Sequence, residues 1–191
     1  MPFFLKVLVV TLLGTALGLL LTEAAVERGF LFGRVAQGPW TAWPATGSPK
    51  IDPYARAVLA RTGLVPMSSD EGLAFLAAND AEGRPLEGAC DYALEGPDPA
   101  ARFWSLGLFD PRGDVTANAV DRYALTSQDV VRLDNKVGVA VSAIPQPGNW
   151  LPAPSTGRFT LLLSLYESTL GAALSSKPDF ALFQLRRVAC R

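Results

Sequence analysis

The pattern of apolar and polar positions divides the chain into three unlike parts. Val7 to Thr22, "VLVVTLLGTALGLLLT", carries no charge, and "PFFLK" before it extends the run to about 20 residues interrupted only by Lys6. A helix of that length rises about 30 Å, the thickness of a bilayer's hydrocarbon core. The pattern predicts a membrane helix or a signal peptide. The run leaves through Thr22, Glu23, Ala24 and Ala25, a poor small-residue cleavage site with an acid inside it, so the segment is read as a retained anchor over 1–27.

Residues 28–51 show neither a helical nor an alternating period. The stretch "GPWTAWPATGSP" is dense in Gly, Pro and Trp and reads as a linker over the domain surface. Its Trp40 and Trp43 suit either a membrane interface or a cap on the domain core, the second being preferred.

A third pattern starts at Asp52. In "DPYARAVLARTG", Asp52 suits a helix N-cap, Pro53 the first helical position and Gly63 the stop, with Tyr54, Val58 and Leu59 on the packed face and Arg56 and Arg61 charged. Short apolar runs then alternate with turn chemistry: "LAFLAA", "YAL", "RFWSLGLF", "VGVAVSAI", "RFTLLLSLY" and "FALFQLRRVAC". Strands so often bounded by Gly, Pro, Asn and Asp predict a mainly β domain over 52–191, an antiparallel sheet or sandwich with one short helix.

Composition removes chemistry more than it adds any. The 191 residues include no histidine and carry a formal net charge of -1. Histidine-based triads, Cys-His pairs and imidazole-ligated zinc are therefore out of reach. No basic run offers a footprint for nucleic acid. No catalytic residue, metal ligand or cofactor site is assigned; Asp110, Asp114, Asp121, Asp129 and Asp134 read as turn acids that bond their own backbone.

Two cysteines, Cys90 and Cys190, lie on or beside strands far apart in sequence. On an oxidising side they are expected to pair. A bridge closing about 100 residues contributes roughly 4 to 5 kcal/mol in the chain-entropy model. The even cysteine count and the short N-terminal flank orient the anchor with its N-terminus inside and the domain outside.

Within the anchor, Gly14 and Gly18 have the G-x-x-x-G spacing that lets a second helix approach closely, although glycine is common in membrane helices. "GNWLPAP", Gly148 to Pro154, reads as a rigid corner between strands: two prolines fix the backbone and Asn149 closes a local turn. The alternative makes Trp150 a stacking platform, with Asn149 and Arg158 as hydrogen-bonding groups and Tyr166 beside a cleft. Arg122 and Tyr123 form a further candidate contact surface; on a strand they would point to opposite faces.

"TANAVDRYAL", Thr116 to Leu125, followed by "GVAVSAIPQPGNWLPAPSTGRFTLLLSLYE", Gly138 to Glu167, resembles the domain of unknown function 1214 family. The upstream "DPYARAVLARTGLVP", "EGLAFLAANDAEGRPLEGACDYALEG" and "ARFWSLGLFD" are similar to its short, membrane-anchored alphaproteobacterial members. The resemblance implies a jelly-roll-like β-sandwich facing the periplasm and no established reaction. This chain departs from larger members in lacking a separate N-terminal domain and in having Ser164 where an Arg is frequent. The expectation is a non-enzymatic accessory protein held in membrane lipid and docking to another membrane protein or complex; a glycan-binding or glycan-processing domain is the alternative.

Overall fold

A computed structural model describes residues 2–28, 34–49, 51–62, 67–68, 71–168, 170 and 181–191. The N-terminal apolar run is one helix, α1 (Phe3–Arg28). Its stretch Phe3–Ala25, 23 residues with mean hydropathy 2.3, is long and apolar enough to cross a membrane; it is exposed as far as Glu23, with Ala24 and Ala25 half-buried. The hydroxyls of Thr11 and Thr22 donate to the carbonyls of Val7 and Gly18, one turn back, at 3.0 and 2.9 Å. The helix therefore exposes few unsatisfied polar groups. A methyl group added at Gly14 or Gly18 would meet nothing within 4 Å, so that small-residue face is bare.

Residues 28–51 are not a surface linker throughout. Val35–Gln37 (β1) and Trp40–Ala42 (β2) form a hairpin, and β2 pairs with β3 (Gly72–Ala77). The correction has a physical cause: burial of Trp40, 1% exposed, and of Trp43, 8% exposed, outweighs the weak strand propensity of their Gly/Pro-rich surroundings. The Trp40 indole N–H donates to the carbonyl of Phe183 at 2.7 Å. Both rings serve the core rather than a membrane interface.

Pro53–Thr62 forms α2, with the Asp52 carboxylate accepting from the amides of Tyr54 and Ala55 at 2.8 and 3.2 Å. Asp52 thus caps the helix as its sequence predicts. Ala55 and Leu59 are buried in a small cluster with Trp43 and Ile51, against Leu76 on the outer face of β3. Tyr54 is exposed, and the expected stop at Gly63 and the side chains of Val58 and Arg61 lie outside the described residues.

The remaining strands are β4 (Cys90–Pro97), β5 (Phe103–Phe109), β6 (Ala124–Thr126), β7 (Arg132–Leu133), β8 (Lys136–Ser142), β9 (Asn149–Pro152), β10 (Thr160–Tyr166) and β11 (Gln184–Cys190). A six-stranded sheet has the order β1-β2-β3-β10-β5-β6, and a second has the order β11-β4-β8-β7 with β9 also on β8. The pairings are antiparallel except that β8 and β9 run parallel. The fold is thus mainly β and sandwich-like, as the turn spacing predicts. Period-two alternation builds its interior: Leu161, Leu163 and Leu165 of β10 point inward, and Leu162 and Tyr166 outward. They share one core with Phe75, Trp104 and Leu106 of the first sheet and with Tyr92, Leu94, Val139 and Leu185 of the second. Each such side chain contributes about 2 kcal/mol by leaving water.

Cys90 and Cys190 stand opposite one another in the β4–β11 ladder and are joined by a disulfide. The bridge therefore ties the C-terminal edge strand of the second sheet to its neighbour.

Candidate binding surface

Within "GNWLPAP", where the sequence predicts a corner, residues Asn149–Pro152 form a strand, β9. β4 occupies one edge of β8 from Lys136 to Val141, so β7 and β9 must share the other. β7 pairs with its first two residues and β9 with Val139 to Ser142. Parallel neighbours normally need a crossover of a dozen residues. Here β9 starts opposite Val139, only about 10 Å behind the end of β8, and residues 143–148 suffice. Gly148 turns the chain with φ of 79°, a left-handed conformation that a side chain would strain.

Asn149 sits where β8 changes partner. Its amide nitrogen donates to the carbonyls of Val131 and Gly138 at 2.8 and 2.9 Å, and its oxygen accepts from the Val131 amide at 2.7 Å. The side chain acts as a peptide group spliced into the gap between two strands, because a carboxamide offers two N–H donors and a carbonyl acceptor in one plane. Asn149→Asp removes both donors and sets a negative charge against two carbonyls. Thermal unfolding of that variant is expected to show a loss of about 1 to 3 kcal/mol, with Asn149→Gln failing to restore it because its amide is displaced by one methylene.

Trp150 is half-buried, and its indole N–H donates to the Ser142 carbonyl at 2.9 Å. Arg122 reaches it from the turn before β6: one guanidinium nitrogen donates to the Trp150 carbonyl at 3.1 Å, and the group lies 6.0 Å from the ring centroid. That separation is the outer limit for a useful cation–π contact. Asn118 shapes the turn, its amide bonding both the N–H and the carbonyl of Arg122 at 3.1 and 3.0 Å. Tyr123 diverges from Arg122. Its hydroxyl donates to Asp121 at 3.0 Å, and that bond, together with the neighbouring charge, holds the phenol above its ordinary pKa of 10.0.

The structure therefore brings Asn149, Trp150 and Arg122 into one region. Arg158 is exposed on a bridge to Glu87, and Tyr166, at the end of β10, packs on Phe103 with ring centroids 5.6 Å apart. Of the turn acids, Asp110 bonds its own backbone, accepting from the amides of Arg112 and Asp114 at 2.8 and 2.9 Å, whereas Asp129 accepts from the Thr126 hydroxyl.

Beside Asn149 an open trough of about 560 Å³ runs along the outer face of the second sheet. Its depth comes from small outward residues, Ala93 on β4 facing Ala140 on β8 with Gly138 two places along. Val131 and Leu133, 62% and 75% exposed, form an apolar rim. Lys136 and Asp134 also line it, with no ion pair among the described residues.

One polar cluster escapes sequence reasoning altogether. Asp80 has a fully buried carboxylate that accepts from the amides of Glu82 and Arg84 at 3.1 and 2.9 Å and from Arg84 Nε at 3.0 Å. Arg187 of β11 brings its Nε to 3.0 Å from the same carboxylate, but the N–H is not aimed at the oxygen, so the contact is one of charge rather than a hydrogen bond. Burial pushes the Asp80 pKa upward, yet the amide and guanidinium of Arg84 and the charges of both arginines outweigh it. The carboxyl is held below its ordinary 3.8. The turn itself, with Gly83 at φ 81°, is visible in "NDAEG"; its distant partner is not.

A family model described as "Protein of unknown function (DUF1214)" matches residues 71–170. Among solved structures, the crystal structure of the VPA0106 protein from Vibrio parahaemolyticus is similar with a TM-score of 0.58 and 20% identity, over 72% of this chain and 36% of that one. An uncharacterized protein from Burkholderia cenocepacia gives a TM-score of 0.44 and 17% identity over 76% of this chain and 45% of that one. The chain thus spans less than half the length of either. At these identities the first shows a shared fold and nothing about activity. No curated protein matches this chain.

Proposed function

The chain belongs to the DUF1214 family of proteins of unknown function, and on that premise we propose that it is a single-pass inner-membrane protein that docks its periplasmic β domain onto a larger membrane or envelope complex. The observation that carries the reading is α1: an apolar helix long enough to span a bilayer, exposed from Phe3 to Glu23 and meeting the domain at α2. Six residues, 29–34, separate Arg28 from Val35. They can reach about 20 Å, so the domain works at the bilayer surface. Holding a domain there raises its local concentration for partners in the same membrane. The disulfide fits an oxidising compartment.

Glycan binding draws on Trp150 and the sandwich fold, yet the Trp150 ring is half-buried and the Arg122 guanidinium stands over it, 6.0 Å from the centroid. Docking is therefore the favoured reading. The test extracts the tagged full chain in mild detergents and measures its native size, with a reporter fused after Arg191 to give the topology. A defined membrane assembly with the reporter outside the cytoplasm is the expected result. A lone monomer in every mild detergent would sink the docking proposal, and a cytoplasmic reporter would sink the orientation.

A further inference from the structure

The two halves of the disulfide share one register position but not one environment. Cys90 belongs to the core and is 2% exposed, whereas Cys190 lies exposed near the end of the edge strand β11. Beside Cys190 stands a cation: Arg187 Nη1 is 3.8 Å from its Sγ. That guanidinium is held by groups other than the disulfide. Its Nη2 donates to the Pro85 carbonyl at 2.6 Å, its Nε lies 3.0 Å from the buried Asp80 carboxylate as a charge contact, and its central carbon lies 5.5 Å from the centre of the Tyr92 ring. Buried Phe183 and Leu185, with the ladder to β4, also hold β11 in place without the bridge.

We propose that Cys190 is the sulfur at which this disulfide exchanges with external thiols and disulfides, with Cys90 as the resolving partner. In the reducing direction an external thiolate attacks Cys190 Sγ. The Cys90–Cys190 bond breaks, its electron pair leaves on Cys90 Sγ, which takes a proton from water, and a mixed disulfide remains on Cys190. In the oxidising direction the Cys190 thiolate, favoured by the fixed guanidinium, attacks an external disulfide and expels one thiolate. Cys90, as thiolate, then attacks Cys190 Sγ and expels the second. Two electrons pass to the external disulfide, which leaves as two thiols. The partner class is a disulfide-bearing oxidant, and the device makes closure the last lock on a strand already docked.

The experiment uses the full chain in detergent with glutathione as the probe. Brief exposure of the oxidised protein to reduced glutathione, acid quenching and mass spectrometry of tryptic fragments reads which cysteine carries the mixed disulfide. Modification of the fragment holding Cys190 is expected to exceed that of Cys90 by about tenfold or more. Equal labelling, or labelling of Cys90, overturns the proposal. As a second readout, the Cys90→Ser chain, which keeps Cys190, is expected to react with oxidised glutathione at a rate that levels off at lower pH than in Cys190→Ser. Coincident pH profiles would overturn the role given to Arg187. The mapping on the unaltered chain stands even where a variant folds poorly.

Discussion

Replacing Asp80 by alanine is expected to lower the unfolding free energy by about 3 to 5 kcal/mol. Its carboxylate is fully buried and answers two backbone amides, the Arg84 guanidinium and the charge of Arg187. Arg187 is the sensitive member: only 15% of its side chain is exposed, so removing the anion leaves a cation that water reaches poorly. Arg84, 52% exposed, can turn to solvent and contributes little to the loss. Asp80→Asn keeps the volume and separates charge from packing. The pH dependence follows from the direction of the shift. A carboxyl whose folded pKa lies below its unfolded 3.8 contributes fully above that value and loses its contribution as pH falls through the folded pKa. Chemical denaturation of the oxidised chain is therefore expected to show a wild-type advantage over Asp80→Asn that is constant from neutrality to about pH 5 and shrinks below about pH 4. An advantage that grew on acidification would contradict the ion-pair account.

Asp80 also marks where sequence reading stops. The elements with a clear period were legible: α1 from an unbroken apolar run, α2 from the cap at Asp52, and β3, β5, β8 and β10 from apolar runs closed by turns. β1 and β2 were not, because their strand character comes from tertiary burial of Trp40 and Ala42 and not from local propensity. β9 hid behind Pro152 and Pro154, residues that normally argue against a strand; it tolerates Pro152 as its last residue, and the next amide, Ala153, supplies the bond to Ser142. At the candidate surface, the type of Asn149 hinted that a side chain would complete the backbone, but its partners Val131 and Gly138 depend on two strands sharing one edge of β8. The pairing of Arg122 with Trp150 and that of Asp80 with Arg187 depend on chain segments far apart in sequence. No local pattern encodes such meetings.

The hairpin that sequence assigns to a linker leads to the largest expected effect. A fragment starting at Ile51 lacks β1, β2 and both indoles at Trp40 and Trp43, while a fragment starting at Arg34 lacks only the anchor side of the chain. Trp40 fills the gap between the six-stranded sheet and Phe183, whose carbonyl it satisfies, and Trp43 backs α2. Trp40→Ala alone is expected to cost about 3 to 5 kcal/mol, from the lost ring and the cavity left behind. Losing both rings approaches the whole stability of an ordinary domain, about 5 to 15 kcal/mol. The fragment from Arg34 is therefore expected to melt cooperatively and to keep near-ultraviolet circular dichroism from its packed aromatic rings. The fragment from Ile51 is expected to lose both, even with its disulfide intact. Equal melting of the two, within about 1 kcal/mol, would show that the hairpin is an appendage. The hairpin after the anchor then belongs to the folded domain through buried Trp40 and Ala42, and the chain enters that domain from the membrane side through β1, the edge strand of its six-stranded sheet.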